Sequence, residues 1–196
     1  MISINPIPIT GKWDIGYALD THILSSELIG EDPFGRKQFN NTRSEIGELL
    51  YGFKYQQKTD NLAIISDTVV SFLEQHPEMS DIESIIPVPP TPENNRVYQP
   101  TYEIAKAVAE RLKIYFCDDV LIKTSGTQLK GTTAEQKAQM GNFIEKTRKA
   151  KRRHNVLLID DLYQTGTTLN YCTERLKEDQ LIDKVYVLAI TKTKNQ

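Results

Sequence analysis

The sequence predicts an α/β protein with a mostly parallel sheet flanked by helices. From Ile82 onward, apolar runs that suit buried strands alternate with segments of helical spacing, and this order is typical of a parallel sheet. The run Val156–Ile159 is apolar at every position, as expected of a strand covered on both faces. The chain of 196 residues is long enough for one domain with a substantial core.

Residues 1–45 are interpreted as an N-terminal extension or hood, and residues 46–196 as the core of the same single domain. The extension is polar and rich in glycine and proline, with too few apolar residues to fold alone. Ile15, Tyr17 and Leu19 alternate with small or polar residues and predict a strand. Trp13, the sole tryptophan, is expected to anchor this segment by packing.

The remaining elements follow from spacing and from polar helix caps. One helix is predicted from a cap at Thr42 to Phe53, and a second from Asp60 or Asn61 to Leu73, before Pro77. The later elements are a strand at Ile82–Val88, a helix at Tyr102–Leu112, a strand at Asp119–Lys123, the strand at Val156–Ile159, a helix with Leu169, Cys172 and Leu176 inward, and a strand at Lys184–Ile190.

Composition excludes several classes of protein. The net charge of −2 and the pI of about 6 provide no global field for nucleic acid or an anionic membrane. No apolar run is long enough to span a bilayer, and the first residues do not resemble a signal peptide. The two cysteines are far apart in sequence, so neither a disulfide framework nor a zinc module is indicated. We therefore expect a cytoplasmic protein.

The strongest chemical signal follows the strand at Val156–Ile159. Asp160 and Asp161 come first, and the turn 165–168, with the sequence Thr-Gly-Thr-Thr, leads into a helix. A helix N-terminus offers free N–H groups to an anion, and Gly166 lets a phosphate approach the backbone. Carboxylates suit a ribose diol or hydrated Mg²⁺. The pattern favours a phosphorylated sugar over the alternative, a polar strand end with an ordinary helix cap.

Two other polar loops are predicted at the same edge of the sheet. The loops Pro89–Arg96 and Lys123–Met140 both follow predicted strands. Ligands of parallel sheets bind beyond the carboxyl ends of the strands, so the three loops are expected to converge. The long loop, residues 123–142, is expected to be flexible and functional because structureless loops of that length are uncommon.

Val156–Thr168 resembles the 5-phosphoribosyl-1-diphosphate (PRPP) signature of the type I phosphoribosyltransferases. The ComF-like (competence-protein-F-like) group is the most similar, on the evidence of Pro87-Val88-Pro89 followed by Arg96 and of the stretch Gly47–Tyr55. The resemblance covers roughly Arg43 to Thr191. The chain lacks the four-cysteine zinc module with which many ComF-like proteins begin.

The resemblance implies a role for each polar loop. Asp160 and Asp161 hold the ribose hydroxyls, directly or through Mg²⁺ and water, and are assigned as catalytic together with Lys123. The implied ligand contacts are the 5-phosphate loop of Gln164, Thr165, Gly166, Thr167 and Thr168, the diphosphate loop with Val88, Pro89 and Arg96, and a mobile flap with Lys130 and Lys137. A homodimer is also implied.

The activity that the resemblance implies is transfer of a 5-phosphoribosyl group from PRPP to a nitrogen nucleophile, with loss of diphosphate and with Mg²⁺ as cofactor. Two alternatives stay open: a non-catalytic regulator that binds PRPP or a nucleotide, and a ComF-like factor associated with DNA uptake or processing. Gln164 stands where hypoxanthine-type salvage enzymes carry a basic Asp, which disfavours that reaction because an amide cannot accept a proton at neutral pH.

The segment Lys146–His154 carries the strongest local charge, with six cations in nine residues. Nucleic acid is one partner for such a segment, and a solvated loop before a buried strand is the other interpretation. We favour the solvated loop because no aromatic residues are interleaved and the whole chain is acidic.

Overall fold

The structure is a computed structural model that describes residues 2–91, 98–124 and 144–194. The strands in chain order are β1 (Ile7–Pro8), β2 (Ile15–Ala18), β3 (Ile23–Glu31), β4 (Lys37–Arg43), β5 (Ser84–Pro87), β6 (Tyr115–Phe116), β7 (Leu121–Lys123), β8 (Ile144–Lys146), β9 (His154–Tyr163) and β10 (Ile182–Lys192). The helices are α1 (Glu45–Tyr55), α2 (Asn61–Glu74), α3 (Pro100–Leu112) and α4 (Thr167–Lys177), with a 3₁₀ turn at Pro77–Met79.

The predicted fold class is confirmed. Six strands form the central sheet in the order β1-β2-β10-β9-β5-β6. All neighbouring pairs are parallel except β1 and β2, which are antiparallel at one edge. Two further antiparallel pairs, β3 with β4 and β7 with β8, lie outside this sheet.

Both faces of the sheet are covered, which explains the continuous apolar run of β9. Leu157 and Ile159 pack with α1, α2 and α3 on one face, and Val156 and Leu158 pack with α4 on the other. All four side chains are fully buried. Burying one such side chain stabilises the fold by roughly 1.5–3 kcal/mol. No helix in the described ranges has the length and apolar character needed to cross a membrane.

The N-terminal extension has two parts. β2 joins the sheet beside β10, where the Leu19 N–H donates to the Ala189 carbonyl at 3.0 Å. Trp13 is 6% exposed and donates its indole N–H to the Ile9 carbonyl at 3.0 Å, which confirms that it is a packing anchor. β3 and β4 form a hairpin whose residues are mostly exposed.

The sheet differs from the prediction at one edge. The strand predicted at Asp119–Lys123 is β7, which pairs with β8 and not with the sheet. The place beside β5 belongs to β6, because the left-handed Lys113 (φ 57°) ends α3 and turns the chain back at once. The Tyr115 and Cys117 N–H groups then donate to the carbonyl groups of Glu83 and Ile85. The free edge of β5 is therefore already paired before the chain reaches Leu121.

Two helix starts also differ from the prediction. Ser44, and not Thr42, caps α1, because its hydroxyl accepts from the Gly47 N–H at 3.1 Å. α3 begins at Pro100, two residues earlier than predicted, since proline suits the first turn of a helix.

Candidate functional site

A cleft of about 280 Å³ lies at the carboxyl ends of the parallel strands. β5, β7 and β9 end there, and the first turns of α3 and α4 face it. The lining residues are Lys54, Tyr55, Val88, Pro89, Pro90, Thr91, Gln99, Pro100, Thr101, Tyr102, Lys123, Asp160, Asp161 and Thr168. The structure therefore brings together Asp160, Asp161, Lys123, Val88, Pro89 and Thr168 among the predicted site residues.

The paired carboxylates lie within β9 and not beyond it. Asp160 is in register with Ala189 of β10, so the backbone of both strands fixes its position. The Asp161 N–H donates to Asp160 Oδ1 at 2.8 Å. Burial, and then the neighbouring Asp161 carboxylate, raise the pKa of Asp160. A carboxyl group with such a pKa is a candidate functional group in a cleft.

Asp161 is held by two residues that sequence spacing did not single out. Lys54 Nζ lies 2.8 Å from Asp161 Oδ2, and both side chains are at most 20% exposed. The Thr101 hydroxyl donates to the same oxygen at 3.0 Å. Lys54 lies in the last turn of α1 and Thr101 in the first turn of α3, so two helices meet at one carboxylate.

A polar contact behind Asp161 involves His22. The Thr191 hydroxyl lies 3.2 Å from the Asp161 carbonyl oxygen and 3.2 Å from His22 Nδ1. Burial lowers the pKa of His22, and the Arg43 and Lys54 cations lower it further. A neutral imidazole is therefore favoured beside the ion pair of Lys54 and Asp161.

The predicted phosphate turn opens α4. Gly166 adopts φ +73°, a conformation that favours glycine, and a Cβ there would lie 2.9 Å from the Tyr163 ring. The Thr165 and Thr167 hydroxyls are 2.9 Å apart. Thr168 lines the cleft, whereas Gln164, Thr165 and Thr167 are exposed beside it.

Residues of the N-terminal extension pack against this turn and against the start of α4. Trp13 and Tyr163 pack edge to face with ring centroids 6.5 Å apart. The Lys12 N–H donates to Asn170 Oδ1 in the first turns of α4 at 2.9 Å. Local sequence gives no signal for this contact because 158 residues separate Lys12 from Asn170.

The remaining predicted contacts lie outside the described residues. They are Arg96 of the diphosphate loop and Lys130 and Lys137 of the flap. Lys123, where the flap was predicted to begin, ends β7 at the cleft.

Within residues 2–91, 98–124 and 144–194, no three acidic, histidine or cysteine side chains form a metal site on their own. Two carboxylates nevertheless fit Mg²⁺, which binds through one or two carboxylates together with water and substrate phosphates. Asp160 and Asp161 would be its protein ligands, and Lys54 already contacts one Asp161 oxygen.

No protein-family model and no curated protein matches the sequence. Solved structures that resemble the fold include an adenine phosphoribosyltransferase, with 15% identity, 85% of each chain covered and a TM-score of 0.47. Orotate phosphoribosyltransferase from Aeropyrum pernix has 15% identity, covers 85% of this chain and 74% of its own, and has a TM-score of 0.43. Trypanosoma brucei adenine phosphoribosyl transferase, in complex with AMP, pyrophosphate and ribose-5-phosphate, has 12% identity and a TM-score of 0.45. The match covers 95% of this chain and 73% of the Trypanosoma brucei chain.

These TM-scores lie below 0.5. The fold class of the chain therefore rests on its own strand order, and its function on the residues of its own cleft.

Proposed function

We propose that the cleft binds PRPP with Mg²⁺ and transfers its 5-phosphoribosyl group to a nitrogen nucleophile, with loss of diphosphate. One observation carries the proposal: Asp160, Asp161, Lys123 and Thr168 line the same cleft although they come from three different elements. The sequence resemblance of Val156–Thr168 to the PRPP signature agrees with that placement.

The charges around the cleft suit a sugar with phosphates at two positions. The N-termini of α3 and α4 both face it, and each carries a partial positive charge. Lys54 and Lys123 add two full charges. Carboxylates between these positive groups suit the ribose hydroxyls, which donate hydrogen bonds. The phosphate at the 5-position belongs to the turn before α4, and the diphosphate to the side of α3 and Lys123.

The reaction needs positioning and charge stabilisation more than a covalent nucleophile. The bond from ribose C1 to the diphosphate oxygen breaks, a C1–N bond forms, and the nitrogen loses its proton to the departing diphosphate or to solvent. In this proposal Lys123 stabilises the charge on the leaving group, and Asp160 and Asp161 hold the ribose so that C1 faces the acceptor. Bound Mg²⁺ would supply further neutralisation of the diphosphate.

Calorimetry with PRPP tests the binding step. Wild type is expected to bind PRPP with 1:1 stoichiometry in the presence of Mg²⁺, and the double variant Asp160→Asn, Asp161→Asn is expected to lose this binding. Asp67→Asn, which changes an exposed carboxylate that does not line the cleft, is the control and should bind like wild type. Unchanged binding by the double variant, or no binding by wild type, would contradict the proposal.

The alternative is a non-catalytic regulator that binds PRPP or a nucleotide. The contact of Asp161 with Lys54 favours it, because a carboxylate that a cation already neutralises is a weaker ligand for Mg²⁺. Release of diphosphate in the presence of a panel of nitrogenous bases distinguishes the two: the enzyme releases it with at least one base, and the regulator with none. The ComF-like assignment and the homodimer rest on the resemblance, and the cytoplasmic location rests on composition; all three stay predictions.

A further inference from the structure

A second cavity, of about 300 Å³, lies at the opposite edge of the sheet from the candidate site. Four parallel strands begin there, and Ser84, Tyr115, His154 and Ile182 are their first residues. The segment 146–152 covers it. Its volume is at the lower end of the range for small-molecule sites, about 300–1,000 Å³.

The floor of this cavity is apolar with one unsatisfied hydroxyl. Ile86, Val120 and Ile182 line it, and Ile86 and Ile182 are buried. Ser84 lies two residues before Ile86 on the same face of β5 and is 2% exposed. Its Oγ has no hydrogen-bond partner within the described part of the chain. A buried hydroxyl without a partner is uncommon and calls for an explanation such as a bound group.

The rim is basic. Its charged lining residues are Lys146, Arg148, Lys149, Lys151 and Arg152, and no carboxylate from the described residues lines the cavity. Three of these cations pair with acids outside the cavity: Lys146 with Asp179, Arg148 with Asp119 and Arg152 with Glu83. For the exposed Lys149 and Lys151, no ion pair is formed with any residue that the structure describes. These two lysines are the charges available to an anion.

The cover is held in place by the protein itself. Asp179 Oδ2 accepts from Lys146 Nζ and from the Ala150 N–H, the latter at 2.8 Å. The Thr147 N–H donates to the Val120 carbonyl at 2.9 Å. These contacts hold the segment on both sides of the opening, so the cavity exists before any ligand enters.

We propose that this cavity is a binding site for a small amphipathic anion, a molecule with an apolar body and one acidic group. The apolar body would lie on Ile86, Val120 and Ile182, a hydrogen-bonding group on that body would meet the Ser84 hydroxyl, and the acidic group would meet Lys149 and Lys151. The site lies apart from the PRPP cleft and does not depend on its function.

Cys117 makes the proposal directly measurable. It lines the cavity and is partly exposed, whereas Cys172, the only other cysteine, is fully buried. N-ethylmaleimide is therefore expected to modify Cys117 selectively. An occupant of the cavity should slow that modification.

The probe is 8-anilinonaphthalene-1-sulfonate, an aromatic sulfonate, and its uncharged analogue N-phenyl-1-naphthylamine is the comparison. We expect the sulfonate to bind 1:1 and to slow the alkylation of Cys117 at least about fivefold at saturation. The double variant Lys149→Ala, Lys151→Ala should weaken sulfonate binding roughly tenfold and leave the uncharged analogue unaffected. The variant Lys58→Ala, Lys106→Ala removes the same charge elsewhere and should bind the sulfonate like wild type.

Three results would overturn the proposal. The first is sulfonate binding that the Lys149 and Lys151 substitutions do not weaken. The second is sulfonate binding that leaves the alkylation rate of Cys117 unchanged. The third is displacement of the sulfonate by PRPP with Mg²⁺, which would assign it to the cleft at the other edge. Failure of PRPP binding alone affects only the proposed function, because the sulfonate and alkylation measurements are made without PRPP.

Discussion

Asp160 and Asp179 have pKa values shifted in opposite directions. Burial and the charge of Asp161 raise the pKa of Asp160. Hydrogen bonds from Lys146 and from the Ala150 N–H lower the pKa of Asp179 to about 2. The protein thus destabilises the ionised carboxylate of Asp160 at the candidate site and stabilises the ionised carboxylate of Asp179 at the other edge of the sheet. The pH dependence of stability should separate the two.

The variant Asp160→Asn is expected to be more stable than wild type at pH 8. With a raised pKa, the native state keeps the Asp160 proton to higher pH than the unfolded chain, so stability falls as pH rises from about 4 through the native pKa. Asparagine removes this loss and can still accept the Asp161 N–H. We expect a gain of about 1–2 kcal/mol at pH 8 and almost none at pH 4, measured by urea denaturation. A loss of stability at pH 8 would contradict this account.

The variant Asp179→Asn is expected to behave in the opposite way. In wild type, the lowered pKa of Asp179 contributes stability that is present above pH 4 and is lost as pH falls towards 2. The substitution also leaves Lys146, whose side chain is 11% exposed, without its partner. A loss of about 1–3 kcal/mol at pH 7 follows, and thermal unfolding from pH 7 to pH 2 measures it. A variant as stable as wild type at pH 7 would show that the ion pair contributes nothing.

Lys54 is expected to limit the access of Mg²⁺ to Asp161. Its ammonium group contacts Asp161 Oδ2 and neutralises that carboxylate, so Lys54→Met should raise the affinity for Mg²⁺ alone several-fold. If the cleft binds PRPP as proposed, PRPP affinity should fall in the same variant because a cation that lines the cleft is lost. Calorimetry measures both, with Lys58→Met, just beyond α1, as the control. Equal Mg²⁺ affinity in wild type and Lys54→Met would refute the competition.

At the scale of the element, the turn before α4 depends on Gly166 for two separable reasons. One is its positive φ, which is also found at Gly35, φ +79°, in the hairpin turn. The other is the Tyr163 ring, which a Cβ on Gly166 would meet at 2.9 Å, whereas nothing lies within 4 Å of a Cβ on Gly35. Comparing Gly166→Ala with Gly35→Ala therefore isolates the ring contact.

We expect Gly35→Ala to lower stability by about 1–2 kcal/mol, the cost of a left-handed alanine. Gly166→Ala should lower stability further and weaken PRPP binding at least about tenfold, because the turn must shift away from Tyr163. Urea denaturation and PRPP calorimetry on both variants measure the difference. Equal stability losses, with PRPP binding intact, would show that the ring contact is unimportant.

Elements with a strong hydrophobic periodicity could be predicted from the sequence. Elements whose position depends on contacts with residues distant in the sequence could not. β9 and α4 have a clear apolar pattern in their own residues, so the existence of both was predicted correctly, although β9 continues past Ile159 to Tyr163. β6 has only two residues, too few for a period, and β7 could not be assigned to β8 from its own sequence. Within the site, Asp160 and Thr168 follow from a local motif. Lys54 does not, because it reaches Asp161 across 107 positions of the chain.

At the scale of the whole molecule, the basic segment 146–154 is largely neutralised. Arg148 pairs with Asp119, Arg152 with Glu83 and Arg153 with Asp183, at the surface, and Lys146 pairs with Asp179. The net charge of the chain is −2. These pairs agree with the solvated loop as the better interpretation of the charge run.

Wild type is therefore expected to bind single-stranded DNA weakly at 150 mM salt, and releasing its cations should create affinity. The variant Glu83→Gln, Asp119→Asn frees Arg152 and Arg148 without changing the basic segment. Each cation that contacts a phosphate steepens the dependence of log K on log salt by about 0.7 for single strands, so the slope should steepen by roughly 1.4. Fluorescence anisotropy of a labelled oligonucleotide between 50 and 200 mM salt measures it.

The matched control is Asp67→Asn, Glu174→Gln, which changes the net charge equally but frees Arg111 and Lys12 elsewhere on the surface. If the control gains as much affinity as the test variant, total charge governs the interaction and the segment has no special role. If wild type already binds tightly at 150 mM salt, with a slope that reflects four or more cations, the surface pairs open on contact with DNA. Nucleic acid would then be a partner of the segment. We expect neither of these two results. If the three surface ion pairs opened, three unpaired carboxylates would lie beside the phosphates and repel them.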